Sequence, residues 1–346
     1  MLRAPKIAAV SVAAVMLFTV AAASVGAWSI SRSFDEKVER IPHAFPAPEV
    51  RPPSVPAAVG GQQTAQNILL LGSDSRGSIG GSLSDIRGQR SDTMMVVHIA
   101  ADRSAVSVMS ILRDSWVEIP GHGEAKINAA LSWGGVPLAV QTVERLLGVR
   151  LDHVAVVDLV GFKSVTDALG GVDLHNPIAF DSYHLNGYHF DEGPLHLNGA
   201  EALAFARERY AFADGDFERV RNQQLVTRAI LGAMIRTETL TDVGKLADLF
   251  DALTQYIAVD DGLDAGYIAG LGVQLAGSVG SSARGVGAGA GPGGGVAFFT
   301  LPTEGTGSSD NGQSIVNVDW DELLEVRERF QTDTLSTYQA ERQTMG

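Results

Sequence analysis

The chain has 346 residues, enough for one large domain or two modest ones around a sizeable core. Its hydrophobic fraction of 45% excludes a disordered chain, and its net charge of −14 argues against general nucleic-acid binding, which needs a basic surface. It has no cysteine, which removes disulfides, thiol nucleophiles and thiolate metal sites together.

Residues 1–6 carry Arg3 and Lys6 and read as a cytoplasmic tail. Ile7 to Trp28 contain no charged side chain. As a helix this stretch spans roughly 33 Å, about one hydrocarbon core, and reads as a single transmembrane anchor. A cleaved signal peptide is the competing reading, with Ala21-Ala22-Ala23 as the small-residue site. Either way the remainder lies outside the cytoplasmic membrane. ATP is scarce there, so any phosphoryl donor must be another molecule. Residues 29–65 read as an extracytoplasmic linker: mixed charges over 31–41 suit a short stalk. Pro42, Pro46, Pro48, Pro52, Pro53 and Pro56 then suit an extended spacer.

The globular part is expected over 66–332. Asn67–Leu71 is a short apolar run ending in Gly72, a buried strand followed by a loop. Met94–Ala100 and Ala105–Ile111 are strand-like around a turn at Ala101-Asp102-Arg103. Residues 128–147 have helical apolar spacing, His153–Leu159 reads as a strand, and a helix follows up to Gly170-Gly171. Asn186-Gly187 between aromatic flanks signals a hairpin. Residues 199–206 and 217–236 read as helices, and 277–295 as a Gly/Ala-rich loop. Val296–Leu301 and Ser314–Val318 are strands, Asp319 caps a helix from Trp320 to about Phe330, and 333–346 is a C-terminal tail. Strands and helices alternate and hairpins intervene. The expected class is therefore α/β, a mixed central sheet with helices on both faces.

Chemistry concentrates in three segments: Leu71–Gly77, Gly88–Thr93, and Arg207-Glu208-Arg209 with Asp216–Gln224. Asp74 and Asp92 fall at strand-to-loop junctions, where α/β sheets place ligands. Two carboxylates with a phosphate oxygen suit Mg²⁺, and turn capping by Asp fits the same positions. Arg207 and Arg209 share a face only on an extended backbone. Arg219 and Gln223 are helix neighbours opening a stripe that continues through Val226, Ile230 and Met234. A guanidinium there is partly desolvated and needs an anion, for which phosphate is a bidentate match. Surface ion pairs with Glu208, Asp214, Asp216 and Glu218 are the alternative, favoured for Arg221 and Arg228. Ser110–Asp114 adds Arg113 at another strand end, and Lys126 with Asn128 precedes a helix. His184 and His189 flank the Asn-Gly turn as surface histidines more naturally than as a zinc pair. No P-loop and no G-x-S-x-G elbow is present.

Asn67–Arg76, Arg90–Met95, Ser110–Asp114, Lys126–Asn128, Ala202–Arg209 and Asp216–Gln224, in this order behind one apolar segment, resemble the LytR-CpsA-Psr family of bacterial cell-wall proteins. The resemblance runs from about Gln66 to Phe330. It implies an external α/β domain that transfers a glycopolymer from a polyprenyl-pyrophosphate carrier to peptidoglycan with Mg²⁺. By motif it implies Asp74 and Asp92 as metal-associated aspartates. Arg90, Arg113, Arg207, Arg209 and Arg219 become the pyrophosphate clamp, helped by Gln223, with Arg76 beside the first aspartate. Asp74, Asp92, Arg90 and Arg113 form the implied catalytic set, and the base is unassigned. Asn222 departs from the basic residue often found before the Gln pair, and the 277–295 segment is longer than the resemblance suggests. Two other functions use the same residues: a non-catalytic polyprenyl-phosphate-binding scaffold or sensor, and a lipid-linked pyrophosphatase with water as acceptor.

Overall fold

The computed structural model describes residues 32, 34–53, 63–73, 91–212, 215–234, 254–282 and 295–338. In chain order the strands are β1 (Glu39–Arg40), β2 (Gln66–Ser73), β3 (Ser91–Ile99), β4 (Ala105–Ile111), β5 (Trp116–Ile119), β6 (Gly123–Lys126), β7 (His153–Asp158), β8 (Val172–Asn176), β9 (Phe180–Asp181), β10 (His189–Phe190), β11 (Gly193–Leu197), β12 (Ile257–Val259), β13 (Gly295–Thr300), β14 (Thr303–Ser308) and β15 (Ser314–Val318). The helices are α1 (Asn128–Leu147), α2 (Leu159–Ala168), α3 (Gly199–Arg207), α4 (Gly215–Met234), α5 (Ala265–Ser282) and α6 (Trp320–Gln331).

Seven strands make a mixed sheet in the order β1-β12-β7-β2-β3-β4-β13. The β1–β12, β7–β2 and β4–β13 pairs are parallel, and the other three are antiparallel. Strand period 2 sorts the apolar residues into two faces. Val154, Leu69, Val96, Met109 and Phe299 lie in register across five strands and join one core. α1 and α6 cover that face through Val140, Val143, Leu147, Leu323 and Val326. The alternate residues Ile68, Met95, Val106 and Val108 face the other way, against Leu271 and Leu275 of α5. Helices therefore lie on both faces, as the alternation predicts. α2, α3, α4 and the β8–β11 region enclose a second core around Phe190, Phe205, Val226 and Ile230.

α1 begins and ends where the spacing places it, yet Gly135 (φ 66°, ψ −158°) breaks it into two segments just before Pro137. Asp319 caps α6 by accepting from Glu322 N–H at 3.0 Å. The Asn186-Gly187 turn differs from expectation. Both residues have positive φ, but β9 pairs with β10 through His189 and Asp181, so the pair sits within a wider loop. The first residues of the 277–295 segment, 277–282, continue α5, and Gly295 already opens β13.

The domain begins earlier than Gln66. Phe34, Val38, Ile41 and Ala44 are buried, and β1 is an edge strand of the sheet. Residues 34–41 are thus part of the fold and not a stalk, because their apolar side chains have a core to enter. The proline segment is folded up to Pro53: Pro48–Val50 forms a 3₁₀ turn, and Arg51 reaches Glu144 of α1. Arg51 Nη2 and Nε lie 2.6 and 2.9 Å from Glu144 Oε1, which also accepts from Leu151 N–H at 3.0 Å. Both side chains are buried, at 6% and 1% exposure. The tail is corrected as well. Leu335 and Tyr338 are buried, and Asp333 accepts from Ala101 N–H and contacts His98 Nε2 at 2.9 Å. Residues 7–28 lie outside the described residues, among which no helix is long and apolar enough to cross a membrane.

Removing one partner of a buried ion pair strands the other in a dry interior. Arg51→Ala is expected to cost about 3–5 kcal/mol, read as a lowered urea midpoint. Asp260, between β12 and β7, gives a pH dependence. Burial alone raises its pKa, but hydrogen bonds with His153, Val154 N–H and Gly262 N–H outweigh that and hold the carboxyl below its ordinary 3.8. Its stabilisation is complete above 3.8 and lost as pH falls through the lower folded value. Asp260→Asn should unfold at lower urea than the parent near neutral pH, with the gap closing in acid; a constant gap would assign the loss to packing alone.

Candidate functional site

The strand directions bring one end of β2, β3, β4, β7 and β13 together. β2, β4, β7 and β13 end there, and β3 starts there. Ser73, the last residue of β2, pairs with Ser91 on one side and Asp158 on the other. Between Gly72↔Thr93 and Ser73↔Ser91 the register slips, so Asp92 is the extra residue of a β-bulge. Bulges of this kind gather at sheet margins beside functional sites. Gly72 is required by close approach, since a Cβ there would lie 2.8 Å from the Thr93 Cβ. Asp74 follows β2 directly, but Asp74, Arg76 and Arg90 lie outside the described residues, and of Asp92 only the backbone is described. Asp158 ends β7 beside Ser73, the same strand-end position that singles out Asp74 in the sequence.

Arg113 leaves the same sheet end, two residues after β4. Asp114 lies 3.2 Å from Lys126 Nζ and 3.7 Å from Arg113 Nε, so Lys126 serves as an ion-pair partner. The Arg113 carbonyl accepts from Asn128 N–H, which ties this loop to the start of α1.

α4 lies against these strand ends. Phe217 and Val220 cluster with Leu112 and Val316. One turn on, Gln224 Nε2 is 3.0 Å from Ser110 Oγ, 3.2 Å from Thr300 Oγ1 and 3.3 Å from Phe299 O. Gln224, not singled out from spacing, is therefore the residue that bolts α4 to β4 and β13. Arg219 and Gln223 are buried, at 7% and 6% exposure, at the head of the stripe that Val226 and Ile230 continue into the second core. Arg221 makes the ion pair expected of it, with Glu218, whereas the Arg228 guanidinium lies 4.9 Å from the Phe298 ring centroid.

α3 is fixed at its start by an Asn198–Glu201 capping box and at its end by buried Phe205. Glu208 then turns extended, at φ −66° and ψ 131°, the conformation in which Arg207 and Arg209 alternate with it. Glu208 is fully buried and accepts from Tyr183 N–H (2.7 Å), Tyr210 N–H (3.0 Å), Arg209 N–H (3.1 Å) and the Ser182 hydroxyl (3.1 Å). Burial alone would raise its pKa; these four bonds outweigh it and hold the carboxyl below its ordinary range. Glu208 is thus an internal anchor, where ion pairing at the surface was one expectation. A Cβ on Gly215 would lie 2.5 Å from the Arg209 carbonyl, so the start of α4 seats against this segment. Arg209 Nη2 donates to Tyr210 Oη at 2.6 Å. His184 packs on Tyr183 and Tyr210, and His189 bonds Asp181 at 2.7 Å, so they do not act as a pair. The His184 imidazole titrates low, first from burial and then from Arg207 and Arg209, against the pull of Glu208.

The fold therefore brings the chain segments that carry Arg113, Arg209 and Arg219 to the exit of β4 and the start of α4, with Arg207 the last residue of α3. Among the described residues, no group of three or more His, Asp or Glu could hold a metal ion. Of the two aspartates read as metal-associated, the backbone of Asp92 sits at the β-bulge of β3, and Asp74 lies outside the described residues.

TagU of Bacillus mycoides, a polyisoprenyl-teichoic acid–peptidoglycan teichoic acid transferase, is 39% identical over 179 residues, 51% of this chain and 55% of its own length. The protein of the same name from Halalkalibacterium halodurans is 36% identical over 57% of this chain and 62% of its own. The chain thus spans little more than half the length of the curated relatives it matches. The crystal structure of B. subtilis TagV superposes with a TM-score of 0.63 at 27% identity, covering 79% of this chain and 98% of that one. TagT bound to LI-WTA shares the fold, with a TM-score of 0.62 at 24% identity over 84% and 98% of the two chains. The model of the LytR_cpsA_psr family matches residues 34–331, from the first buried phenylalanine to the last residue of α6, and the chain belongs to that family.

Proposed function

We propose that this protein transfers a glycopolymer from a polyprenyl-pyrophosphate carrier to a hydroxyl of peptidoglycan, outside the cytoplasmic membrane, with residues 7–28 as its anchor. The observation that supports the reading is the convergence of the segments bearing Arg113, Arg209 and Arg219 beside one end of the sheet, in a chain of which residues 34–331 match the family. Relatives named as teichoic acid transferases supply the reaction class.

The acceptor hydroxyl attacks the polymer-side phosphorus, and as the new P–O bond forms its proton passes to solvent, no protein base being assigned. The phosphoanhydride P–O bond breaks, and polyprenyl phosphate leaves with the electron pair. The anhydride is already activated, so neither ATP nor a protein nucleophile is needed. The protein's task is to position the two oxygens in line and to stabilise charge on the phosphate oxygens. Arg113, Arg207, Arg209 and Arg219 do this with donors fixed before substrate arrives, helped by Gln223, Arg76 and Arg90. Asp74 and Asp92 would hold Mg²⁺, which supplies charge neutralisation at the diphosphate.

The test is a transfer assay on the full chain in detergent, with a lipid-linked glycopolymer, peptidoglycan fragments and Mg²⁺. Polymer joined to a muropeptide, with release of polyprenyl phosphate, is the expected product. Release without linkage would make the protein a pyrophosphatase, and tight lipid binding with no product would make it a scaffold. Arg219→Ala should lose about 100-fold or more in turnover with its urea midpoint reporting a folded domain; an unchanged rate removes Arg219 from the clamp.

A further inference from the structure

Beside the arginine segment lies an aromatic corner that the transfer chemistry does not use. Tyr183 is 73% exposed and Tyr210 59%, with ring centroids 4.9 Å apart at 56°. Single exposed aromatics are ordinary. These two are held in place by one buried charge, since the backbone N–H groups of both donate to Glu208. Glu208 therefore ties the backbones of Tyr183 and Tyr210 to one point beside Arg209. The Arg209 guanidinium lies 4.6 Å from the Tyr210 ring centroid and donates to its hydroxyl. His184 closes the corner, 5.9 Å from Tyr183 and 6.0 Å from Tyr210.

Two tilted rings with polar rims suit a ligand that has an apolar face and a hydroxylated edge. A pyranose is such a ligand: its C–H face stacks on tyrosine while its hydroxyls reach the phenol and imidazole. Tyrosine supplies this contact with little rotamer entropy to lose. A bilayer surface is a poorer match, because Asp181 and Asp191 on the same hairpin are 75% and 83% exposed and would meet anionic headgroups. We propose that Tyr183 and Tyr210 form a saccharide subsite that takes one pyranose ring adjoining the phosphate held by Arg207 and Arg209. The phosphate half of this statement rests on the transfer reading; the stacking half does not.

The ring belongs either to the sugar on the diphosphate or to the acceptor glycan, and binding to the full chain in detergent separates them. The probes are N-acetylglucosamine 1-phosphate, neutral chitotetraose and inorganic pyrophosphate. Tyr183→Ala/Tyr210→Ala removes two exposed rings and with them the Arg209 contacts to Tyr210, so Tyr183→Ala alone, which leaves those contacts, is measured beside it. The double variant should weaken one saccharide probe about tenfold and leave pyrophosphate unchanged. Loss confined to the sugar phosphate identifies the donor sugar, and loss confined to chitotetraose identifies the acceptor. Unchanged binding of both saccharides overturns the subsite. So does equal loss of pyrophosphate, which would make the rings mere support for the arginines. Loss of attachment to phosphatidylglycerol vesicles with sugar binding intact also overturns it, in favour of a membrane contact. If the parent binds saccharide but neither pyrophosphate nor substrate, the transfer reading fails while the subsite stands.

Discussion

A charge taken out of water must be matched where it lands, because an unmatched ion in a dry interior costs several kcal/mol. Much of this molecule is arranged around that constraint. Arg51 and Glu144 meet inside the fold and fasten the residues before the sheet to α1 and to the start of β7. Asp260 is matched by His153 and two backbone N–H groups, which fixes the corner where β12 leaves the sheet. Glu208 is matched by four donors, and so the segment that carries Arg207 and Arg209 has one shape. Each match is strong only in one geometry, so each holds the backbone around it to that geometry.

The same economy explains the site. Parallel β7–β2 and β4–β13 pairs flank the antiparallel β2–β3–β4 run, and this topology delivers residues distant in sequence to one sheet end. α4 then crosses that end, anchored by Gln224 on β4 and β13 and seated against Arg209 at Gly215. In the proposed transfer reaction this backbone is set before the phosphate arrives. That is the condition under which electrostatics lowers a barrier and is not spent on rearrangement.

Most elements were legible because period and punctuation agree. Asn128–Leu147, Ser314–Val318 and Trp320 onward, with its Asp319 cap, lie where spacing places them. The misses share a physical cause: long-range partners leave no local mark. Residues 34–53 look like stalk and spacer because prolines and charges dominate them, while the burial of Phe34 and Ile41 depends on β12 and α1, far along the chain. Arg51 looks like a spacer residue because Glu144 is its reason for being there. Glu208 looked like an ion-pair partner for the arginines on either side, since nothing nearby announces that Ser182 and Tyr183 will reach it. Of the candidate site, spacing marks Arg219 and Gln223 as helix neighbours heading an apolar stripe, and both are buried there. Gln224 and Asp158 needed the sheet.

The two outermost strands have a consequence for how the domain is made. The inner strands β2, β3, β4 and β7 all come from residues 66–158, so they can pair as soon as that stretch is available. The outer strands cannot. β1 pairs with β12, joining Glu39 to Ala258, and β13 joins Gly295 to Ala105, so both edges wait for the last third of the chain. Until then β4 and β7 present open ladders to solvent, the kind of edge that recruits other chains. Closing such long loops late is slow. A chain emerging from its amino terminus is thus exposed to misassociation during synthesis in a way the finished molecule is not, and the two-residue β1 is both the first of the sheet's strands to be made and one of the last to find its place.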